Sequence, residues 1–102
     1  MKHAVATVRW LDASEGGRHR PVSGLRYMAP VHMDGVRDGC WTLVVNRSRE
    51  DAQAEETVLV HFLMEDAPHD LLREGAEFTL QEGARTVAEG EVSEAFELSA
   101  AA

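Results

Sequence analysis

The sequence predicts an all-β domain, a sandwich or a barrel of about six short strands. Three observations carry that expectation. The first segment alternates with period two, the spacing of a strand with one buried face. Short β-branched stretches then recur between clusters of Gly, Pro, Asp and Asn that supply turn chemistry. Only residues 66–75 carry a helix-like signal, and it is one turn long.

In chain order, Ala4, Ala6, Val8 and Trp10 fall on one face of the first strand, with His3, Val5, Thr7 and Arg9 on the other. Asp12 to Pro21 follow, with paired glycines, short polar residues and a closing proline, a turn region. A second extended stretch covers about residues 25–33, where Pro30 marks an edge or a bulge. Asp34-Gly35 and Asp38-Gly39 mark turns. Trp41 to Val45 reads as a strand by its β-branched content. Residues 46–56 are polar and read as an exposed loop. Thr57 to Leu63 is the clearest strand in the chain. After the single turn of residues 66–75, Glu77 to Glu82 alternates with Phe78 and Leu80 inward. Gly83 turns the chain into a last strand from Arg85 to about Val92, continuing toward Phe96 and Leu98. Residues 99–102 read as a frayed tail.

A length of 102 residues fits one domain spanning 1–102. A hydrophobic content of 44% against 27% charged residues supports a real core and excludes general disorder. The single cysteine, Cys40, excludes an intrachain disulfide framework and fits a reducing compartment. No apolar run approaches the ~20 residues needed to span a bilayer, and Arg9 interrupts any secretory h-region, so a cytoplasmic protein is expected.

Charge divides the chain. The formal net charge is −8, yet residues 1–49 hold eight Lys/Arg against four Asp/Glu. Residues 50–102 hold only Arg73 and Arg85 against fourteen Asp/Glu. Binding to a phosphate backbone needs a concentrated cationic face, and only Arg18-His19-Arg20 with Arg26 offers one.

The chemistry-bearing residues form no catalytic pattern. There is no phosphate-binding Gly-x-x-x-x-Gly-Lys loop, and the one lysine is Lys2, so no nucleotide and no other cofactor is expected. Cys40 beside Trp41 reads as inert packing. His3, His19, His32, His61 and His69 lack paired ligand spacing, so no metal is expected; His61, between Val60 and Phe62, faces solvent or an interface. Glu89, Glu91 and the Glu55-Glu56 pair read as solvated positions.

Two segments resemble the third, C-terminal domain of bacterial elongation factor Tu. One is Glu15-Gly16-Gly17-Arg18-His19-Arg20-Pro21 after a strand ending Val8-Arg9-Trp10-Leu11. The other runs from Gly75 to Val92 and includes Phe78, Glu82-Gly83, Arg85-Thr86-Val87 and Gly90-Glu91-Val92. Together they cover roughly a quarter of the chain. The resemblance implies a small closed six-stranded antiparallel barrel. Gly16, Gly17 and Gly83 are expected in turns with φ > 0, and Gly90 at a barrel corner or a close approach. It also implies work through surfaces, since the family's domain packs on neighbouring domains and meets an exchange factor and tRNA. The stretch Arg26-Tyr27-Met28-Ala29-Pro30-Val31 departs from the family's aromatic segment near the tRNA surface.

The expected function is therefore a non-catalytic protein-binding module, translation-related or of an inhibitor or immunity type. Its expected contact residues are Arg18, His19, Arg20, Arg26, Glu82, Gly83 and Arg85. The alternative is a tRNA or RNA-binding module that uses the Arg18–Arg26 loop and the Glu82–Arg85 turn, with Arg18, Arg20, Arg26 and Arg85 on phosphates.

Overall fold

The computed structural model describes residues 1–37, 41–51 and 53–98. Six antiparallel strands close into a barrel: β1 (Lys2–Trp10), β2 (Arg26–His32), β3 (Thr42–Asn46), β4 (Glu55–Phe62), β5 (Glu77–Glu82) and β6 (Arg85–Glu97). Their order around the ring is β1-β4-β3-β2-β5-β6, with β6 pairing back onto β1. Of the two all-β architectures open to the sequence, the chain adopts the closed barrel. Two one-turn 3-10 helices, Ala13–Glu15 and His69–Leu71, lie in the connections.

Alternation decides what fills the interior. Ala4, Ala6 and Val8 of β1, Leu43 and Val45 of β3, and Val60 and Phe62 of β4 are fully buried. Val31, Leu80, Ala88 and Val92 join them from β2, β5 and β6. A narrow barrel accepts large rings only where small residues face them. Gly90 shows the limit: a Cβ there would stand 2.3 Å from the ring of Phe78, its register partner. Each fully buried Val, Leu or Phe contributes about 1.5–3 kcal/mol.

The ring order also decides the connections. β1 and β2 stand opposite each other, with β4 and β3 between them on one side and β6 and β5 on the other. Residues 11–25 must therefore cross one end of the barrel. β4 and β5 are likewise opposite, so residues 63–76 cross the other end and seat Ala67 and Leu72 in the core. The remaining links, β2–β3, β3–β4 and β5–β6, join neighbours. Pro30 stands where β2 pairs with β3 alone, since its ladder to β5 begins at Val31.

Several expectations change. Residues 46–56 are not one exposed loop: Asn46 completes β3, Glu55 and Glu56 open β4, and both Arg47 and Glu56 are buried. The Glu55-Glu56 pair is thus split, with Glu55 solvated and Glu56 interior, because successive residues of a strand face opposite sides. Gly17 does not adopt positive φ, whereas Gly16 (83°) and Gly83 (62°) do. Glycine at 17 answers a close approach instead, since a Cβ would lie 2.1 Å from the Leu11 carbonyl oxygen. The last strand runs on to Glu97, with a bulge between Val5 and Ala6 in its pairing with β1. The helical turn of residues 66–75 is a 3-10 turn over His69–Leu71. The Asp38-Gly39 turn, Cys40 and the tail 99–102 lie outside the described residues.

Candidate functional site

The layer that closes the barrel at the C-terminal end of β1 is aromatic and charged. Trp10 follows Ala4, Ala6 and Val8 on the inward face, and Tyr27 precedes Ala29 and Val31 on the inward face of the opposite strand. Their rings meet edge to face with centroids 5.1 Å apart. Trp10 Nε1 donates to Glu56 Oε2 at 2.6 Å. Arg47 Nε donates to the same oxygen at 2.9 Å, while its Nη1 and Nη2 donate to the carbonyls of Gly24 (2.6 Å) and Asp51 (3.0 Å). Tyr27 repeats the pattern: its hydroxyl donates to Glu82 Oε2, to which Arg18 Nη1 also donates. The Arg18 guanidinium lies 5.7 Å from the Tyr27 ring centroid. Burial, and then the Glu82 carboxylate, push the Tyr27 phenol well above its ordinary pKa.

This arrangement places most of the residues expected from the sequence. Arg18 and Glu82 are in direct contact, so the segments 15–21 and 75–92 meet in space. Gly83 makes the left-handed turn of the β5–β6 hairpin, and Arg85, in register with Glu82, is exposed. Leu11, Glu15 and Gly16 face this hairpin across a shallow cleft of about 540 Å³. His19 and Arg20 are exposed beside a second groove of about 590 Å³, whose floor includes Trp10, Pro21 and Val22.

The loop that carries these residues is held locally. Asp12 caps the Ala13–Glu15 turn through its side chain, and Arg9 donates to Glu15 (2.7 Å) and Glu89 (2.6 Å). The Arg9 hydrogen bond, with help from the Asp12 amide, holds the Glu15 carboxyl below its usual range. Arg9, Arg18 and Arg47 are thus engaged inside the chain. His19, Arg20, Arg26 and Arg85 make no ion pair among the described residues.

Arg26 belongs to a different surface. Tyr27 points inward, so Arg26 points outward, together with Met28 and Pro30 of β2. Register extends this set across the sheet. Arg26, Asn46, Leu59 and Val5 form one row over β2, β3, β4 and β1. Met28, Val44, His61, His3 and Phe96 form the next row and reach β6. Pro30 and Thr42 continue to Leu63, whose amide donates to the Thr42 carbonyl. Met28 is 50%, Leu59 43% and Leu63 42% exposed, whereas Val44 is fully covered by its neighbours although it points outward. The His3 and His61 rings stand 4.5 Å apart, and His3 stacks on Phe96 at 6.0 Å. Burial first, then His3, Arg26 and His69, hold the His61 pKa below its ordinary value.

Within β1 to β4, Arg26 is the one permanently charged side chain in those first two rows, and on β6 Glu94 stands opposite Val5. Most acids lie elsewhere: Glu55 opens β4 beyond these rows, and on the outer side of β5 and β6 Glu77 faces Glu91 in register and Glu89 faces Thr79. Like charges directly opposite on strands oppose folding, so the Glu77–Glu91 pair costs stability, whereas Glu89 is offset by Arg9.

Sequence reasoning missed Trp10, Tyr27, Arg47 and Glu56 as a unit. Trp10 was legible as the last residue of the alternating β1 face. Arg47 and Glu56 carried no signal, because a polar segment reads as a loop until its ladder partner is known. Among the described residues no group of three His, Cys, Asp or Glu is placed to hold a metal ion, and no helix is long and apolar enough to cross a membrane. No protein-family model matches the chain, and no curated protein matches it.

Proposed function

We propose that this barrel is a non-catalytic protein-binding module of the kind that forms the third domain of elongation factor Tu. It serves a translation-related or an inhibitor or immunity-type partner in the cytoplasm. The observation that carries the reading is the outer face of β2, β3 and β4: Met28, Leu59 and Leu63 exposed around the covered Val44, in a protein of net charge −8 whose three register rows from Arg26 to Leu63 hold no carboxylate on these strands, Glu55 lying beyond them at the start of β4. A contiguous apolar patch ringed by polar groups is what a protein contact surface looks like. The likeness to the elongation factor domain gains support from the Arg18–Glu82 contact, which joins the two segments that resemble it. The rim adds Arg20 and Arg85 as charges that steer a partner without being engaged by the chain itself.

RNA binding finds less support, because Arg18 is engaged by Glu82 and the molecule is acidic as a whole. The test is affinity capture with the full chain from its source cells, beside a tRNA shift assay at low salt. One protein recovered in stoichiometric amount is expected. No partner, with tRNA bound in a strongly salt-dependent way, would favour the RNA reading instead.

A further inference from the structure

We infer that the outer β2–β3–β4 face docks on the same face of a second copy of this chain. The inference rests on the reading of that face as a protein-docking surface, and charge placement names the occupant.

The face has a basic corner and an acidic corner at opposite ends of one diagonal. Arg26 stands at the start of β2, in the row of Asn46 and Leu59. Across the face, β4 ends at Phe62, and the chain continues through the exposed Leu63, Met64, Glu65 and Asp66. Neither Arg26 nor Glu65 nor Asp66 makes an ion pair among the described residues. Between the corners lie Met28, Val44, Leu59 and His61, with no carboxylate.

A surface with opposite charges at diagonal corners is complementary to itself. A twofold axis lying in the contact plane along the other diagonal brings Arg26 of one copy over the Leu63–Asp66 corner of its partner, and the reverse pair forms by symmetry. The facing strands then cross near a right angle, one of the two packings that sheets adopt. Met28 and Leu59 of both copies are covered in the middle. The acidic outer side of β5 and β6, with Glu77, Glu89 and Glu91, faces away from the contact, so two copies of net charge −8 meet where they carry the least negative charge. Three strands about 4.8 Å apart, each with three outward residues about 6.8 Å apart, give a face about 14 Å across and about 20 Å along. That is about 300 Å² per copy, below the size of a standard specific contact, so association is weak and belongs in the high micromolar range.

Sedimentation equilibrium of the full chain, from low micromolar to several hundred micromolar, tests this directly. The weight-average mass is expected to rise from monomer toward dimer. Arg26→Glu alone, and Glu65→Arg with Asp66→Arg, should each weaken association about tenfold, since each reverses two symmetry-related exposed pairs. An equimolar mixture of the two variants should recover the wild-type mass, a rescue that misfolding cannot produce; circular dichroism confirms that both are folded. A wild-type chain that stays monomeric throughout, or a mixture that shows no recovery, overturns the second copy as occupant. If that monomer still captures a different protein, and Met28→Asp abolishes the capture, the docking surface stands and only its occupant changes. A monomer whose captured proteins are unaffected by Met28→Asp overturns both.

Discussion

Trp10 and Tyr27 stand on opposite strands of the barrel and meet edge to face across its mouth, centroids 5.1 Å apart. Each donates to a glutamate, Glu56 and Glu82, and each glutamate accepts from an arginine, Arg47 and Arg18. The paired motifs stopper the barrel with polar groups whose partners lie within the chain. They also anchor the crossing loop 11–25 at Arg18 and at the Gly24 carbonyl. The surfaces that remain free, the flanks of the loop and the outer face, are therefore carried on a braced frame.

The Arg47–Glu56 pair should behave as a buried ion pair. Glu56→Ala leaves a guanidinium uncompensated in the interior and is expected to cost about 3–5 kcal/mol. Arg47→Met with Glu56→Leu should cost clearly less than the sum of the single changes, because the two side chains are in contact. Urea unfolding of the wild type, Arg47→Met, Glu56→Leu and the double variant gives the coupling energy, and additive single costs would contradict the pair.

Tyr27 sets an alkaline limit. Its folded pKa lies above the unfolded value near 10.0. The associated stability is therefore complete below about pH 10 and is lost as pH rises from there toward the folded value. Tyr27→Phe should remove that alkaline dependence and cost about 1 kcal/mol at neutral pH, the hydroxyl's hydrogen bond to Glu82. Unfolding free energies between about pH 8 and pH 11 read both effects.

His61 sets the opposite slope. Its folded pKa is held below the unfolded value of 6.5, so the folded chain resists a proton that the unfolded chain takes up. Its contribution is present above that pH and is lost as pH falls from 6.5 toward the folded value. His61→Gln should flatten the stability profile in this window. A profile unchanged by the substitution would mean that another histidine carries it.

Gly17 and Gly16 separate two uses of glycine. Gly17→Ala drives a Cβ to 2.1 Å from the Leu11 carbonyl oxygen and must displace backbone, so the loop should lose its place on the rim. Gly16→Ala meets open space and only the strain of φ 83°, a cost of about 1–2 kcal/mol. Thermal unfolding should show a markedly larger loss for the first.

How much of this was legible in the residues follows from which interactions are local. The alternation of Ala4-Ala6-Val8 and Phe78-Leu80, the Gly83 turn and the strand count all rest on neighbours in sequence, and they place the strands within a residue or two. Arg18 and Glu82 entered the expected site through motif resemblance, and their contact spans 64 residues. Arg47 and Glu56 were out of reach because their burial depends on the loop 11–25 crossing overhead, which no local pattern encodes. The outer face escaped for a related reason. Met28, Val44, His61 and His3 come from four strands, and only the register makes them one row.

The most direct test of the central reading compares two altered surfaces in one capture experiment. Met28→Asp with Leu59→Asp changes the outer face, and Arg20→Ala with Arg85→Ala changes the rim, both in the full chain. The account predicts that the face variant loses its stoichiometric protein partner while the rim variant keeps it with slower association. Retention by the face variant, with loss by the rim variant, would contradict it.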